Sequence, residues 1–90
     1  MMVFVDNMNA HFRGMIMCHL MAETTDELDA FAKKLGLRRK WRQAGSWNHY
    51  DICLSMKKQA IAAGAREVTT REMVMLVREW REKNTAMLEK

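Results

Sequence analysis

Residues 15–22, MIMCHLMA, constrain the fold more than any other stretch of the chain. As a strand they place Ile16, Cys18, Leu20 and Ala22 on one side and Met15, Met17, His19 and Met21 on the other. A strand with one face in water alternates apolar and polar residues, whereas one that is apolar on both sides sits inside a sheet that is covered on both faces. This stretch is therefore read as a central strand, with His19 shielded from water. The rest of the chain has to supply its neighbours and its covering helices.

Helix signals supply the cover. Thr24 and Glu27 have the T-x-x-E spacing in which the two side chains satisfy free backbone donors at a helix start. Leu28, Phe31, Ala32 and Leu35 follow at helical spacing, and Gly36 suits the stop. Thr69 and Glu72 repeat the signature ahead of a helix whose buried stripe is Met73, Leu76, Val77 and Trp80, with Glu and Arg on a solvated outer face. Between these, Ser55 is placed to cap a short helix, MKKQAIAAG, that stops at Gly64.

MVFVD reads as a first strand ending at Asp6, NMNAHFRG as a turn bending at Gly14, HYDICL as a third strand and REVT as a brief extended piece. The order predicts an α/β (α+β) fold, a small mixed sheet of three to four strands packed with about three helices. Ninety residues make a single domain, 1–90, near the lower limit for one unaided core. No apolar run approaches the roughly 20 residues that cross a bilayer. The first residues carry no secretion signal, and Cys18 and Cys53 are read as reduced thiols, so the expected location is cytoplasmic. The ten methionines fall mainly in apolar patterns and read as core, although a Met-rich strand also suits a homo-oligomer contact.

Chemistry concentrates in WNHYDICLS, residues 47–55. On a strand, His49, Asp51 and Cys53 share one side, about 6.6–6.8 Å apart from one to the next. With His19 they form a two-histidine, one-carboxylate set of the kind that holds a divalent metal such as zinc, with Asp6 as a further oxygen donor. The same residues could instead form a His–Asp acid–base pair. The bland alternative is the polar half of an ordinary sheet with a hydrogen-bonded histidine. His19, His49 and Asp51 are the candidate catalytic residues, and Asp6, His19, His49 and Asp51 the candidate metal ligands.

The net charge of +4 is unevenly placed. Residues 33–42, KKLGLRRKWR, hold six basic residues and no acid, leaving nine basic against eleven acidic elsewhere. Arg38, Arg39, Arg42 and Trp41 are therefore candidate ligand-binding residues, for a small anionic ligand, for nucleic acid or for an acidic host protein. The competing reading is a helix end, where Lys33 and Lys34 favour the dipole. No P-loop, GxGxxG, CxxC or G-x-S-x-G is present, so the enzyme classes built on those motifs have no support.

The motifs VD near the start, MCHLMA-T--EL-AFA--LG, W-Q, HYDICLS and AIAAGA-EVT-RE together resemble an uncharacterised bacterial and phage family, domain-of-unknown-function family 4031, over roughly residues 3–77. The resemblance implies that Asp6, His19, His49 and Asp51 occupy characteristic positions of the family. It also marks two departures: Asp29 stands where many members have histidine, and Asn48 where many have aspartate. Asp29 keeps the ability to ligate, which adds it to the candidates, whereas Asn48 can only hydrogen-bond. Two readings follow: a His/Asp pocket that binds a metal or small anion with a hydrolytic role, or a non-catalytic, phage-associated interaction module.

Overall fold

The chain is built around β3 (Met15–Ala22), which has neighbours on both edges. In the computed structural model, which describes residues 2–88 and side chains through residue 84, β1 (Val3–Asp6) pairs antiparallel with Leu20–Ala22. On the same edge, β2 (Ala10–Phe12) pairs with Met15–Met17, and β4 (Tyr50–Cys53) takes the opposite edge against Met17–Leu20. β5 (Arg66–Val68) runs parallel to β1. The result is the expected mixed sheet, with five strands rather than three to four, and three helices: α1 (Thr25–Lys34), α2 (Leu54–Ala62) and α3 (Thr70–Leu88).

The additional strand is β2, in a segment whose composition reads as turn. Arg13 and Gly14 form a two-residue hairpin loop, both with positive φ (50° and 78°), between the closing pair Phe12 and Met15. Paired positive φ values match the twist of the two strands, and Gly14 supplies one of them at no steric cost. Gly14 is thus the hinge of a hairpin, and the strand before it is only three residues long, in a segment whose Asn and Gly content reads as turn.

Strand alternation divides the core in two. On one face Val3, Val5, Cys18, Leu20, Ala22, Tyr50 and Ile52 meet Leu28, Phe31 and Ala32 of α1 and Ala60 of α2. On the other, Phe4, Met21 and Val68 meet Met73 of α3, with Trp47, Leu76, Val77 and Trp80 packed around them. Two helices cover the first face, while α3 packs on the second over β1 and β5. The half of the second face carried by β3 and β4 is left accessible, and His19 and Asp51 point there.

The helix starts and stops follow local chemistry. Thr69 and Glu72 form the full reciprocal cap of α3, each side chain accepting from the other's backbone N–H at 3.1 Å. At α1 only Thr24 caps, because the Glu27 carboxylate accepts from the Met2 N–H instead. Gly36 (φ 86°) and Gly64 (φ 111°) end α1 and α2 with six-to-one hydrogen bonds from Leu37 to Ala32 and from Ala65 to Ala60. α2 begins two residues earlier than Ser55 suggests: Cys53 is its cap position and Leu54 its first residue, so β4 is shorter than HYDICL. No helix among the described residues is long and apolar enough to cross a membrane.

Candidate metal centre

The site begins with an irregularity in the sheet. Between the pairs Val5–Leu20 and Ala10–Met17, the β1–β2 edge uses five steps where β3 uses three. The two surplus residues bulge out, and the ladder is interrupted at His19. Asp6 fills the gap with its side chain. Its Oδ1 accepts from the backbone N–H of His19 (3.0 Å) and of Met8 (3.3 Å), and its Oδ2 lies 2.7 Å from Nδ1 of the His19 ring. Asp6 is 1% exposed. Burial alone raises the pKa of a carboxyl, but the His19 hydrogen bonds outweigh it and hold this one below its ordinary value.

Asp6 is therefore ionised at neutral pH and can only accept, so the proton on the His19 ring resides on Nδ1. The Nε2 lone pair is left facing the open side of the sheet. His19 and Asp51 are directly paired across β3 and β4, and Nε2 of His19 is 3.9 Å from Oδ1 of Asp51.

His49 arrives from just before β4, held by a bridge in which Gln43 and His49 exchange backbone hydrogen bonds. Its Nδ1 is 3.4 Å from the carbonyl oxygen of Trp47, again a pure acceptor, and its Nε2 is 3.4 Å from the same Oδ1 of Asp51. Trp47 stacks on the His49 ring at 4.0 Å, only 19° from parallel, and leans against His19 at 5.3 Å. The two histidine rings meet edge to face at 5.2 Å.

One donor atom each from His19, His49 and Asp51 therefore lies within 4.8 Å of the other two. Donors around a tetrahedral ion at about 2.0–2.1 Å are about 3.4 Å apart, so the spacing needs only a small contraction to grip a metal. Asp51 is exposed, which leaves the outer side of such an ion to water or a ligand. The two histidines titrate in opposite directions: the Asp6 hydrogen bond raises His19, and burial lowers His49.

The other candidates divide into two groups. Asp6 is not among the three donors that lie together, because both its oxygens are turned to His19, whose ring it orients. Asp29 lies with α1 on the opposite side of the sheet, where it accepts from the Tyr50 hydroxyl (2.9 Å) and pairs with Arg42 and, at 3.7 Å, with Arg39. Burial and Asp29 together push the Tyr50 hydroxyl up to about 12. Arg39 and Arg42 thus pin the short 3-10 turn Arg39–Trp41 to α1, while Arg38 and Lys40 have no ion pair among the described residues. Asn48 donates to the Thr25 hydroxyl at 2.8 Å, where an aspartate could only accept from it. Cys53 turns to Ser55 at the start of α2.

Sequence reasoning did not single out Trp47, whose ring and carbonyl both hold His49. It precedes the strand in a Gly-Ser loop, where no periodicity reveals which way a side chain turns. Two clefts flank the centre and share His19 and Met8: one lies along α3 beneath Trp47, the other runs between the β2–β3 hairpin and the 3-10 turn.

Comparison with known proteins gives one match, a family model described as "Protein of unknown function (DUF4031)", over residues 3–80. No curated protein and no solved structure matches the chain.

Proposed function

The chain belongs to the DUF4031 family, and from that premise we propose that His19, His49 and Asp51 bind a divalent metal ion, zinc best matching the donor set, and use it to hydrolyse an anionic ester. The observation that carries this reading is that an acceptor oxygen lies against Nδ1 of each histidine. Asp6 and the Trp47 carbonyl each occupy an Nδ1, so both Nε2 lone pairs converge on one Asp51 oxygen. Metal-binding histidines are commonly oriented in this way, by a carboxylate or carbonyl on the far nitrogen.

Three protein donors leave a fourth position for water, the arrangement of catalytic rather than structural zinc. Bound zinc lowers the pKa of that water to about 7, making hydroxide available at neutral pH. Hydrolysis would add one water across the bond between the ester's central atom and the leaving oxygen, which would take up the proton, with His19, His49 and Asp51 holding the ion that activates that water. Arg13 and Lys40 in one cleft, and Arg78 and Arg81 in the other, supply the charge that favours an anion.

Titration of metal-free protein with zinc against a chromophoric chelator tests the reading. One ion per chain is expected for the parent, with binding lost in His49→Ala. Equal zinc binding by parent and variant would remove the centre.

A further inference from the structure

The cleft between the hairpin and the 3-10 turn has a volume of about 800 Å³ and opens directly onto Asp51 and His19. Phe12 and Trp41 both line it, and they are 56% and 50% exposed. Neither ring serves the core. Each carries an arginine: the Arg13 guanidinium lies 5.2 Å from the centre of Phe12 and that of Arg38 lies 5.9 Å from Trp41. Lys40 adds a further cation, and the single acid lining the cleft is Asp51 of the centre itself.

Two exposed aromatic rings, each with a guanidinium over it, select among anions. A small phosphate ester needs the cations but leaves both rings bare, and so does an acidic peptide. A second copy of this chain would bring one basic cleft against another. Duplex nucleic acid hides its base faces in the stack, whereas a single strand offers a flat base and a phosphate at every nucleotide.

We propose that the substrate of the centre is single-stranded nucleic acid, whose bases stack on Phe12 and Trp41 while Arg13, Arg38 and Lys40 hold the phosphates and lead the backbone past Asp51. The cleavage half of this inference rests on the metal reading above; the binding half does not. In the cleavage, water adds to phosphorus, one phosphorus–oxygen bond breaks, and the released sugar oxygen takes the proton, leaving a phosphate monoester. No oxidant or other co-reactant is needed.

The test uses the full chain and a fluorescein-labelled 12-nucleotide strand of mixed sequence, as DNA and as RNA, followed by anisotropy in chelator at low salt. Single strand is expected to bind more tightly than duplex of the same sequence and to weaken as salt rises. Trp41→Ala and Phe12→Ala should each lose about tenfold or more in strand affinity, with zinc affinity unchanged, since both rings are exposed and outside the donor set. With zinc added, the parent should shorten the strand, while His49→Ala should bind it and leave it whole.

Duplex bound as tightly as single strand, or alanine variants that bind like the parent, would overturn the inference while zinc binding stood. Displacement by polyglutamate as effective as by unlabelled strand would overturn it in favour of an acidic protein partner. Strand binding that depends on both rings in a chain that takes up no zinc would refute the cleavage half and the metal reading together, and leave the binding face.

Discussion

Asp6→Asn separates the two jobs of one carboxylate. Asparagine has nearly the same shape, so its oxygen can still accept from the backbone N–H groups of His19 and Met8, the bonds that close the interrupted ladder. Its other terminus is an amide NH2, which donates where Oδ2 accepted. Facing a donor 2.7 Å away, the His19 ring must present Nδ1 as a bare acceptor and carry its proton on Nε2. That proton occupies the lone pair aimed at Asp51. Losing one charge-assisted hydrogen bond for a neutral one costs about 1–2 kcal/mol, which for a domain of this size lowers Tm by roughly 4–16 °C. Zinc affinity should fall further than stability suggests, by about 10- to 100-fold, the usual effect of removing the group that orients a metal-binding histidine. Chelator competition measures the affinity, and nitrogen-15 correlation spectra of the imidazole identify the protonated nitrogen. A variant that keeps its proton on Nδ1 and binds zinc like the parent would refute the tautomer argument.

Asp29→Ala strands the mostly buried Arg42 and removes the acceptor of the Tyr50 hydroxyl. Breaking such a pair from one side costs about 3–5 kcal/mol, so urea unfolding should shift strongly while zinc affinity at the other face holds; a coupled loss of zinc binding in the still-folded variant would contradict the separation of the two sites. The pH dependence has a definite sign. Zinc must displace any proton on His19, whose pKa is raised above 6.5 by Asp6, so affinity should decline by about tenfold per unit once pH drops below that raised value. In metal-free protein, the same shift contributes stability that is fully present below pH 6.5 and lost as pH rises through the folded pKa. Asp6, held below 3.8, contributes stability present above 3.8 and lost as pH falls through its folded value. Unfolding measured by urea from pH 3 to pH 9, in the parent and in Asp6→Asn, checks both; a variant whose profile retains both limbs would show that they arise elsewhere.

The sheet was legible where patterns are repetitive. MIMCHLMA reads as the central strand from its apolar residues, and α1 and α3 are announced by their caps and stripes. β3 is not covered on both faces as that pattern implies, however: Met15 is exposed and His19 only partly buried, because α3 packs over β1 and β5 instead. The hairpin was not legible, since AHF is only three residues long, lies among turn-forming Asn and Gly, and leaves Phe12 exposed. Leu54 reads as the end of a strand but opens a helix, because a single apolar residue fits either period. The alternation in residues 49–53 correctly places His49 and Asp51 together, yet nothing in it specifies that His19 pairs with Asp51 rather than with a residue two places away. That register is set across the sheet. Asp6 reads as an oxygen donor at a strand end, and its real partner, the ring and backbone of His19, appears only when β1 lies beside β3.

The parallel pairing of β1 with β5 sets the order in which this centre can be assembled. Asp6 is flanked by His19, thirteen residues away, and by Val68, its partner in β5, sixty-two residues away. Next to it, the Asn7 side chain accepts from both the backbone and the hydroxyl of Thr70, at the start of α3. Contacts closed over so long a loop form late, so Asp6 can engage His19 across thirteen residues before β4 brings Asp51 to His19, and the docking of β1 on β5 closes last. The chain's two ends therefore meet last, over a His19 ring that its near neighbour in sequence has already oriented.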